Sequence, residues 1–453
     1  MGKITLEQAA RWCGGRFDPK YADVTFCGAN NDTRLIEPGQ LFVALQGARD
    51  GHEFIPNALE KGAAAVLCSR CEGEYPAIIV EDPLRALGDI ARQERKRIGM
   101  KVIGVTGSVG KSTTKEMIAC VLDGTFRVAK TPANHNNDIG MPMAILAMPE
   151  DTQVAVLEMG MNHFGEIRYL TSIACPDMAV IVNIGTMHIE NLGSRQGILR
   201  AKMEILEGMQ DGSTIVLNGD DALLWSQRDL TRVNPRFFGV ENGQAYCRGS
   251  ELQRSEGMLR MQVSCEDQQF PVALALEGSH YASDALAAVT VGMAFGIQPE
   301  TICERLYLFR NIAGRQEIFT YREYTIIKDC YNAGPESMQA ALSVLGERQG
   351  RRIAVLGDML ELGVRSQAEH YRIGRVAAEK VHMLLAYGPN ANRVVSGALT
   401  GGMAPNNAKT FDDRQKMADF LKCKVKPGDV ILFKGSRGMK MELVLEAFMK
   451  EEI

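Results

Sequence analysis

The chain has 453 residues and a formal net charge of −4, with 51 Lys and Arg against 55 Asp and Glu, which suits about three ordinary domains and excludes a nucleic-acid binder that works through a basic surface. No apolar run is long enough to cross a bilayer, "MGKITLEQAARW" lacks the apolar core of a secretory signal, and Leu6 breaks the myristoylation pattern, so no membrane insertion is expected. The 11 scattered cysteines fit a reducing cytoplasm better than a disulfide framework, and Cys68 and Cys71, a lone C-x-x-C, read as small apolar residues.

Residues 1–98 carry short helical and strand-like pieces without a nucleotide loop, and close on "LGDIARQERKRIG", a charged helical run that reads as a connector. Over residues 99–312 the apolar runs "VIGV", "VAVLEMG", "MAVIVNIG" and "TIVLN" alternate with helical stretches, the pattern of a parallel sheet covered on both faces. The first of these strands enters Thr106, Gly107, Ser108, Val109, Gly110, Lys111 and Ser112. Glycines here let backbone N–H groups converge on oxyanions at a helix N-terminus, Lys111 can reach outer phosphates, and Ser112 can offer a hydroxyl to Mg²⁺. Valine at position 105 breaks the common GxxxxGK[ST] spacing, yet a strand-to-helix Gly-Lys-Ser still reads as a phosphate loop for ATP.

Ligands of open parallel sheets bind beyond the carboxyl ends of the strands. Glu158, Asn183 and His188 follow such strands, where a carboxylate or imidazole is either solvated or functional, and the nearby phosphate loop favours function. In "GILRAKMEILEGM" Lys202 shares a helical face with Ile198, Leu199, Ile205, Leu206 and Met209, so it points inward. Two readings are open: a lysine that snorkels to the edge of the core, or a desolvated neutral amine able to add CO₂ and become a carbamate that binds metal. From residue 313 to 453 the alternation restarts with "TIIKDCYN", "RIAVLGDM", "MLLAYG" and "DVILFKGS" before the helical "MKMELVLEAFMK", which predicts a second, smaller α/β domain.

Taken together these residues resemble the Mur ligase family, ATP-dependent enzymes that build the peptide of bacterial cell-wall precursors, over nearly the whole chain. The resemblance implies an α/β protein of three domains: a small N-terminal substrate domain (1–98), a central P-loop-type parallel-sheet ATPase domain (99–312) and a Rossmann-like C-terminal ligase domain (313–453). The family's TG[ST]xGK[ST]T loop is matched from Thr106 to Thr113, its strand-end glutamate by Glu158, its metal-binding histidine by His188 and its carbamylated lysine by Lys202. The resemblance further implies nucleotide contacts at Asp329 and Asn332, and an outer-phosphate contact at Arg315 in "GRQE".

The branch it points to joins D-alanyl-D-alanine to a UDP-N-acetylmuramoyl-tripeptide, a step of cell-wall biogenesis on which cell shape and division depend. By likeness, Asp32, Thr33, Arg34, Gln46, Gly47 and His52 are expected at the uridine diphosphate, and Asn134 and Asn137 of "TPANHNNDIGMP" at the muramoyl-peptide. "VLGDMLELG" and "VILFKGSRGMKME" place Asp358, Glu361, Lys434, Ser436 and Arg437 near the dipeptide or the cleft. Two departures touch adenine and ribose recognition: "HYASDALAA" carries Tyr281 and Asp284 where the family has asparagine in HNxxN, and "YNAGP" carries Gly334. The expected reaction is amide formation through an acyl phosphate, with two Mg²⁺ ions, small-molecule partners only and a monomeric enzyme. A P-loop kinase or ATPase, a single-residue Mur-type ligase and a non-catalytic nucleotide binder stand as alternatives.

Overall fold

The computed structural model describes residues 3–255 and 257–450. The chain divides into two compact units: Met1–Val182 with Leu199–Arg248 and Ala285–Arg305, and Asn183–Ile198 with Gly249–Asp284 and Leu306–Ile453.

The first unit begins with a four-stranded parallel sheet whose strands, Ala29–Asn30, Leu41–Val43, Ala65–Cys68 and Ala77–Ile79, lie side by side in chain order. Ala65–Cys68 is buried along its whole length, as an interior strand of a sheet covered on both faces must be, and Cys68 is simply one of its apolar residues. The charged run read as a connector is the packed helix Pro83–Ile98. Asp82 caps it by accepting from the N–H groups of Leu84 and Arg85 at 2.9 and 3.1 Å, Pro83 fills its first position, and Gly99 at φ +73° ends it. Its Ala86, Leu87, Ile90 and Ala91 are buried. Near its end Arg95 donates to the carbonyls of Ala174 and Cys175 at 3.0 and 2.9 Å and pairs with Asp177 at 2.9 Å, closing the carboxyl end of the helix Glu166–Ala174.

The central sheet follows. Asn234–Gly239, Thr214–Asn218, Met178–Ile181, Lys101–Thr106, Val154–Glu158 and Val128–Lys130 are neighbours in that order, all parallel, so each apolar run read from the sequence is a strand. From Lys101–Thr106 the chain goes to the edge strand Val128–Lys130, returns to Val154–Glu158 beside its start, and then crosses to Met178–Ile181 on the other side, which makes the carboxyl end of Lys101–Thr106 the point where the strand order reverses. That is where open α/β sheets bind ligands. The register sets Val105 opposite Glu158 and Thr106 opposite Ile181, so the phosphate loop and Glu158 leave the sheet at one level.

In the second unit Glu317–Tyr321, Tyr324–Asp329, Val430–Lys434, Arg352–Gly357, Met383–Tyr387 and Ala408–Phe411 form a six-stranded sheet, antiparallel at the first pair and parallel beyond it. Successive residues serve opposite faces: Ile326, Ile353 and Val355 enter one apolar core and Ile327, Ala354 and Leu356 the other. The same unit holds the antiparallel hairpin Met258–Cys265 and Gln268–Leu274. It interrupts the helix–strand alternation expected over residues 99–312, and its buried Leu259, Met261, Val263 and Cys265 show the two-residue period of a half-covered strand.

Candidate active site

At the carboxyl end of Lys101–Thr106 the loop turns through Gly107 and Gly110. A Cβ on Gly107 would stand 2.9 Å from that of Val182, and Gly110 holds φ +86°, so both positions require glycine. Lys111 opens the helix Lys111–Leu122 and its Nζ donates to the carbonyls of Gly107 and Ser108 at 2.9 and 3.4 Å, arching over the loop. Ser108, Ser112 and Thr113 are buried. Ser112 Oγ donates to Glu158 Oε2 at 2.6 Å, and Asn136 Nδ2 donates to Glu158 Oε1 at 2.8 Å. The Glu158 side chain is 2% exposed, so these bonds replace the water its carboxylate has lost.

Lys115 has no role in the sequence reading, yet it completes this cluster. Its ammonium, 1% exposed, donates to the carbonyl of Thr131 at 2.6 Å and lies 3.2 Å from Glu116 and 3.9 Å from Glu158. Thr131 in turn accepts the N–H of Glu158 on its Oγ1 at 3.0 Å. The available signal was spacing: Lys115 stands one helical turn beyond Lys111, on a helix whose first residues bind the loop. Asn136 lies between Asn134 and Asn137, the two asparagines that the family resemblance assigns to the muramoyl-peptide. Of those, Asn134 is exposed and Asn137 Oδ1 accepts the N–H of Gly140 at 2.8 Å.

Lys202, on the helix Arg195–Met203, is buried as its helical face predicts, with Ile198, Leu199, Ile205 and Met209 also buried. Burial first, and then the nearby Lys111 ammonium, push its pKa well below 10.5. No acid pairs with it among the described residues. Two residues on, Glu204 accepts the N–H groups of Gly165 and Arg168 at 2.9 and 3.2 Å, tying this helix to the start of Glu166–Ala174.

The second unit carries the other candidates. His188, at φ +62°, has its Nδ1 2.6 Å from Glu361 Oε2, and that contact holds the Glu361 carboxyl below its ordinary range. Asp329 accepts from the Lys434 ammonium at 2.6 Å, and Lys434 also donates to the carbonyl of Asn332 at 3.1 Å. Asn332 Oδ1 accepts the N–H of Ala333. The Arg315 guanidinium lies 4.0 Å from the centre of the Tyr331 ring. Asp358 is buried, its Oδ2 accepting the backbone and side-chain N–H groups of Asn390 at 2.9 and 2.8 Å, whereas Arg437 is exposed and pairs with Glu442 at 3.1 Å. Ser436 Oγ accepts the N–H of Leu360 and donates to the carbonyl of Ala333. Tyr281, at one departure from the family pattern, is buried with its hydroxyl accepting from Asn311 at 2.7 Å, and burial drives its pKa up.

The N-terminal candidates are held by their own neighbours. Asp32 accepts from Arg34 N, Nε and Nη2, the last at 2.6 Å, which lowers its pKa to about 2. The carbonyl of Thr33 accepts from Lys61. Gln46 bridges to Asp50, and Gly47 donates to the carbonyl of Arg49. His52 accepts the N–H of Ser69 on Nε2 at 3.1 Å, which leaves the proton on Nδ1, 2.6 Å from Asp50 Oδ1.

A phosphate loop at the switch point of a parallel sheet, with a buried carboxylate bonded to its serine, defines a nucleotide-binding α/β enzyme. The Mur ligase family, catalytic domain model matches residues 25–95, the Mur ligase middle domain 105–292, and the Mur ligase, glutamate ligase domain 314–437. The chain is 37% identical over 463 aligned residues, covering 100% of both chains, to the UDP-N-acetylmuramoyl-tripeptide–D-alanyl-D-alanine ligase of Bacillus subtilis (strain 168). A crystal structure of MurF from Acinetobacter baumannii superposes with a TM-score of 0.91 at 30% identity and 100% of both chains. MurF ligase from Thermotoga maritima in complex with ADP does so with a TM-score of 0.83 at 31% identity, over 94% of this chain and 97% of that one. The chain belongs to the Mur ligase family, and its three-domain α/β architecture is that family's. Nothing in these matches favours a kinase or a motor ATPase.

Proposed function

We propose that this ligase joins D-alanyl-D-alanine to UDP-N-acetylmuramoyl-tripeptide at the expense of ATP, as a cytoplasmic monomer. The substrate pair follows the names of the full-length relatives. The observation that carries the chemistry is the buried Lys202, without an acid partner among the described residues and with Lys111 as its charged neighbour. Burial and a like charge both favour the neutral amine, whose nitrogen can attack CO₂ and release a proton to leave a carbamate. The new anion would turn repulsion from Lys111 into attraction.

The remaining donors suit Mg²⁺. Ser112 Oγ and Glu158 Oε2 stand 2.6 Å apart, and among the described residues no three His, Cys, Asp or Glu side chains form a preformed metal cluster, in keeping with an ion that retains water and leans on substrate phosphates. Ser112 or Thr113 with Glu158 would hold one ion, and the family resemblance assigns a second to His188 and carbamylated Lys202. Bound there, Mg²⁺ supplies charge neutralisation for phosphates and carboxylate.

The protein's part is positioning. The N–H groups of residues 107–113 and Lys111 hold the β- and γ-phosphates, and Arg315 offsets charge on the moving phosphoryl group. The tripeptide carboxylate oxygen attacks the γ-phosphorus and ADP leaves. The dipeptide amine then attacks the acyl carbon, loses a proton and expels inorganic phosphate. Only the neutral amine reacts, and an α-amino pKa of about 8 makes a basic optimum the expectation. We assign Asp32, Thr33, Arg34, Gln46, Gly47 and His52 to the uridine diphosphate, Asn134 and Asn137 to the muramoyl-peptide, Asp329 and Asn332 to the nucleoside, and Asp358 and Arg437 to the dipeptide, on domains 1–98, 99–312 and 313–453.

The test is phosphate release from ATP and Mg²⁺ with each substrate alone and with both, scored with the product mass. Release that needs both substrates, with a product heavier by one dipeptide less water, is expected. Release indifferent to them, or a phosphorylated product that never gains the dipeptide, overturns the reading.

A further inference from the structure

His188 stands in a loop that the second unit grips at several points. Thr186 Oγ1 donates to Glu336 Oε1 at 2.9 Å. Met187 occupies the space beside Gly334, where a Cβ would come within 2.8 Å of Met187 Cγ. Gly363 packs against Glu190 closely enough that a Cβ there would lie 3.1 Å from that side chain. Within this grip Glu361 Oε2 approaches His188 Nδ1 to 2.6 Å, off the line of the ring N–H, so that this buried nitrogen makes no hydrogen bond among the described residues. Both residues hold left-handed backbone, at φ +62° and +63°, a conformation that residues other than glycine adopt only where their surroundings enforce it.

An imidazole that binds metal must present one nitrogen with its lone pair free, and which one is decided by what the other nitrogen meets. A carboxylate at Nδ1 keeps the neutral ring's proton there, fixes the ring plane and raises the basicity of Nε2. We propose that Glu361 is a positioning residue for His188: its carboxylate is within reach of this unpaired Nδ1, and by accepting that nitrogen's hydrogen bond it leaves Nε2 as the atom that meets the metal. This rests on the reading of His188 as a metal-binding residue. It gives the run "VLGDMLELG" a role distinct from contact with the incoming amine, and it explains Gly334: a side chain there would displace Met187 and with it the neighbouring histidine.

The experiment compares the full-length wild type with Glu361→Ala, Glu361→Gln and His188→Ala. Three quantities are read: the Mg²⁺ dependence of phosphate release, Mn²⁺ binding to the protein loaded with a non-hydrolysable ATP analogue, and the tautomer of His188 in ¹⁵N-histidine spectra of the metal-free protein. Glu361→Ala is expected to weaken Mn²⁺ binding by about 10- to 100-fold, to shift the Mg²⁺ requirement upward by a similar factor with activity recovering as the ion is raised, and to lose the Nδ1–H tautomer. Glu361→Gln, whose amide oxygen still accepts, should lie between. Unchanged metal binding and tautomer in Glu361→Ala, or a change confined to the KM for D-alanyl-D-alanine, overturns the inference. Unchanged metal binding in His188→Ala overturns the underlying reading instead, which separates the two failures.

Discussion

Two buried lysines meet opposite fates. Lys434, near the carboxyl end of a strand of the six-stranded sheet, is 2% exposed and sits 2.6 Å from Asp329, with a second bond to the carbonyl of Asn332. Lys202 is as deeply buried, but among the described residues it has an ammonium for a neighbour and no acid. The first lysine is satisfied by its own fold, so its charge is part of the structure. The second is in a state that folding alone disfavours, which marks it as a group that waits for a reagent. The contrast teaches that burial does not separate structural from functional charge, whereas the partner list does.

The contrast can be broken most forcefully at Lys202. Lys202→Ala should lower kcat by roughly a hundred- to a thousandfold or more, the scale of losing one pre-positioned charge-stabilising group, measured as phosphate release with both substrates. CO₂ depletion should mimic it in the wild type, and bicarbonate should restore the wild type alone. If the variant keeps activity, or the wild type ignores CO₂, the carbamate is wrong.

Lys434→Met should act on stability. It strands Asp329 with its charge uncompensated, a loss of about 3 kcal/mol, read by denaturant unfolding and relieved when Asp329→Leu is added. Equal stability of the single variant and the wild type would put Lys434 in the same class as Lys202.

The pH dependence sharpens the point. In the unfolded chain Lys202 keeps its proton up to about 10.5, whereas in the fold it releases it well below that. Below the folded value both states are protonated and the cost of burying the charge is complete. As pH rises from there toward 10.5 the unfolded state holds more protons, so stability climbs. Lys202→Met should therefore be more stable than the wild type at the low end of this window and flatten the curve, as followed by unfolding at several pH values.

The smallest effect belongs to the N-terminal region. Arg34→Ala should let the Asp32 carboxyl rise from about 2 toward 3.8, visible in an NMR titration. Whatever stability the pair gives is present above 3.8 and lost as pH falls through 2.

Much of this was legible in the chain itself. The strands around residues 101–106, 154–158, 178–181 and 214–218 declared themselves because a doubly covered sheet writes each strand as an unbroken apolar run. Lys202 was visible because one helical face otherwise lists only apolar residues. Lys115 was not, since "KSTTKEM" shows no apolar face against which an inward lysine would stand out, and its burial comes from Thr131, which arrives from a different strand end. The hairpin 258–274 was missed although its alternation was present, because the surrounding alternation of strands and helices set the expectation. In the N-terminal region, the internal bonds of Asp32 and His52 depend on side chains brought together by turns, which no periodicity announces.

The Arg95 contacts bear on how such enzymes can be recombined. Its guanidinium binds two carbonyls at the end of the helix Glu166–Ala174 together with Asp177, so a cut placed near residue 98 separates a clamp from its anchor. A chimera that borrows its first domain from a relative must import residues 174–177 with it, or else inherit a helix end whose carbonyls have lost their donor.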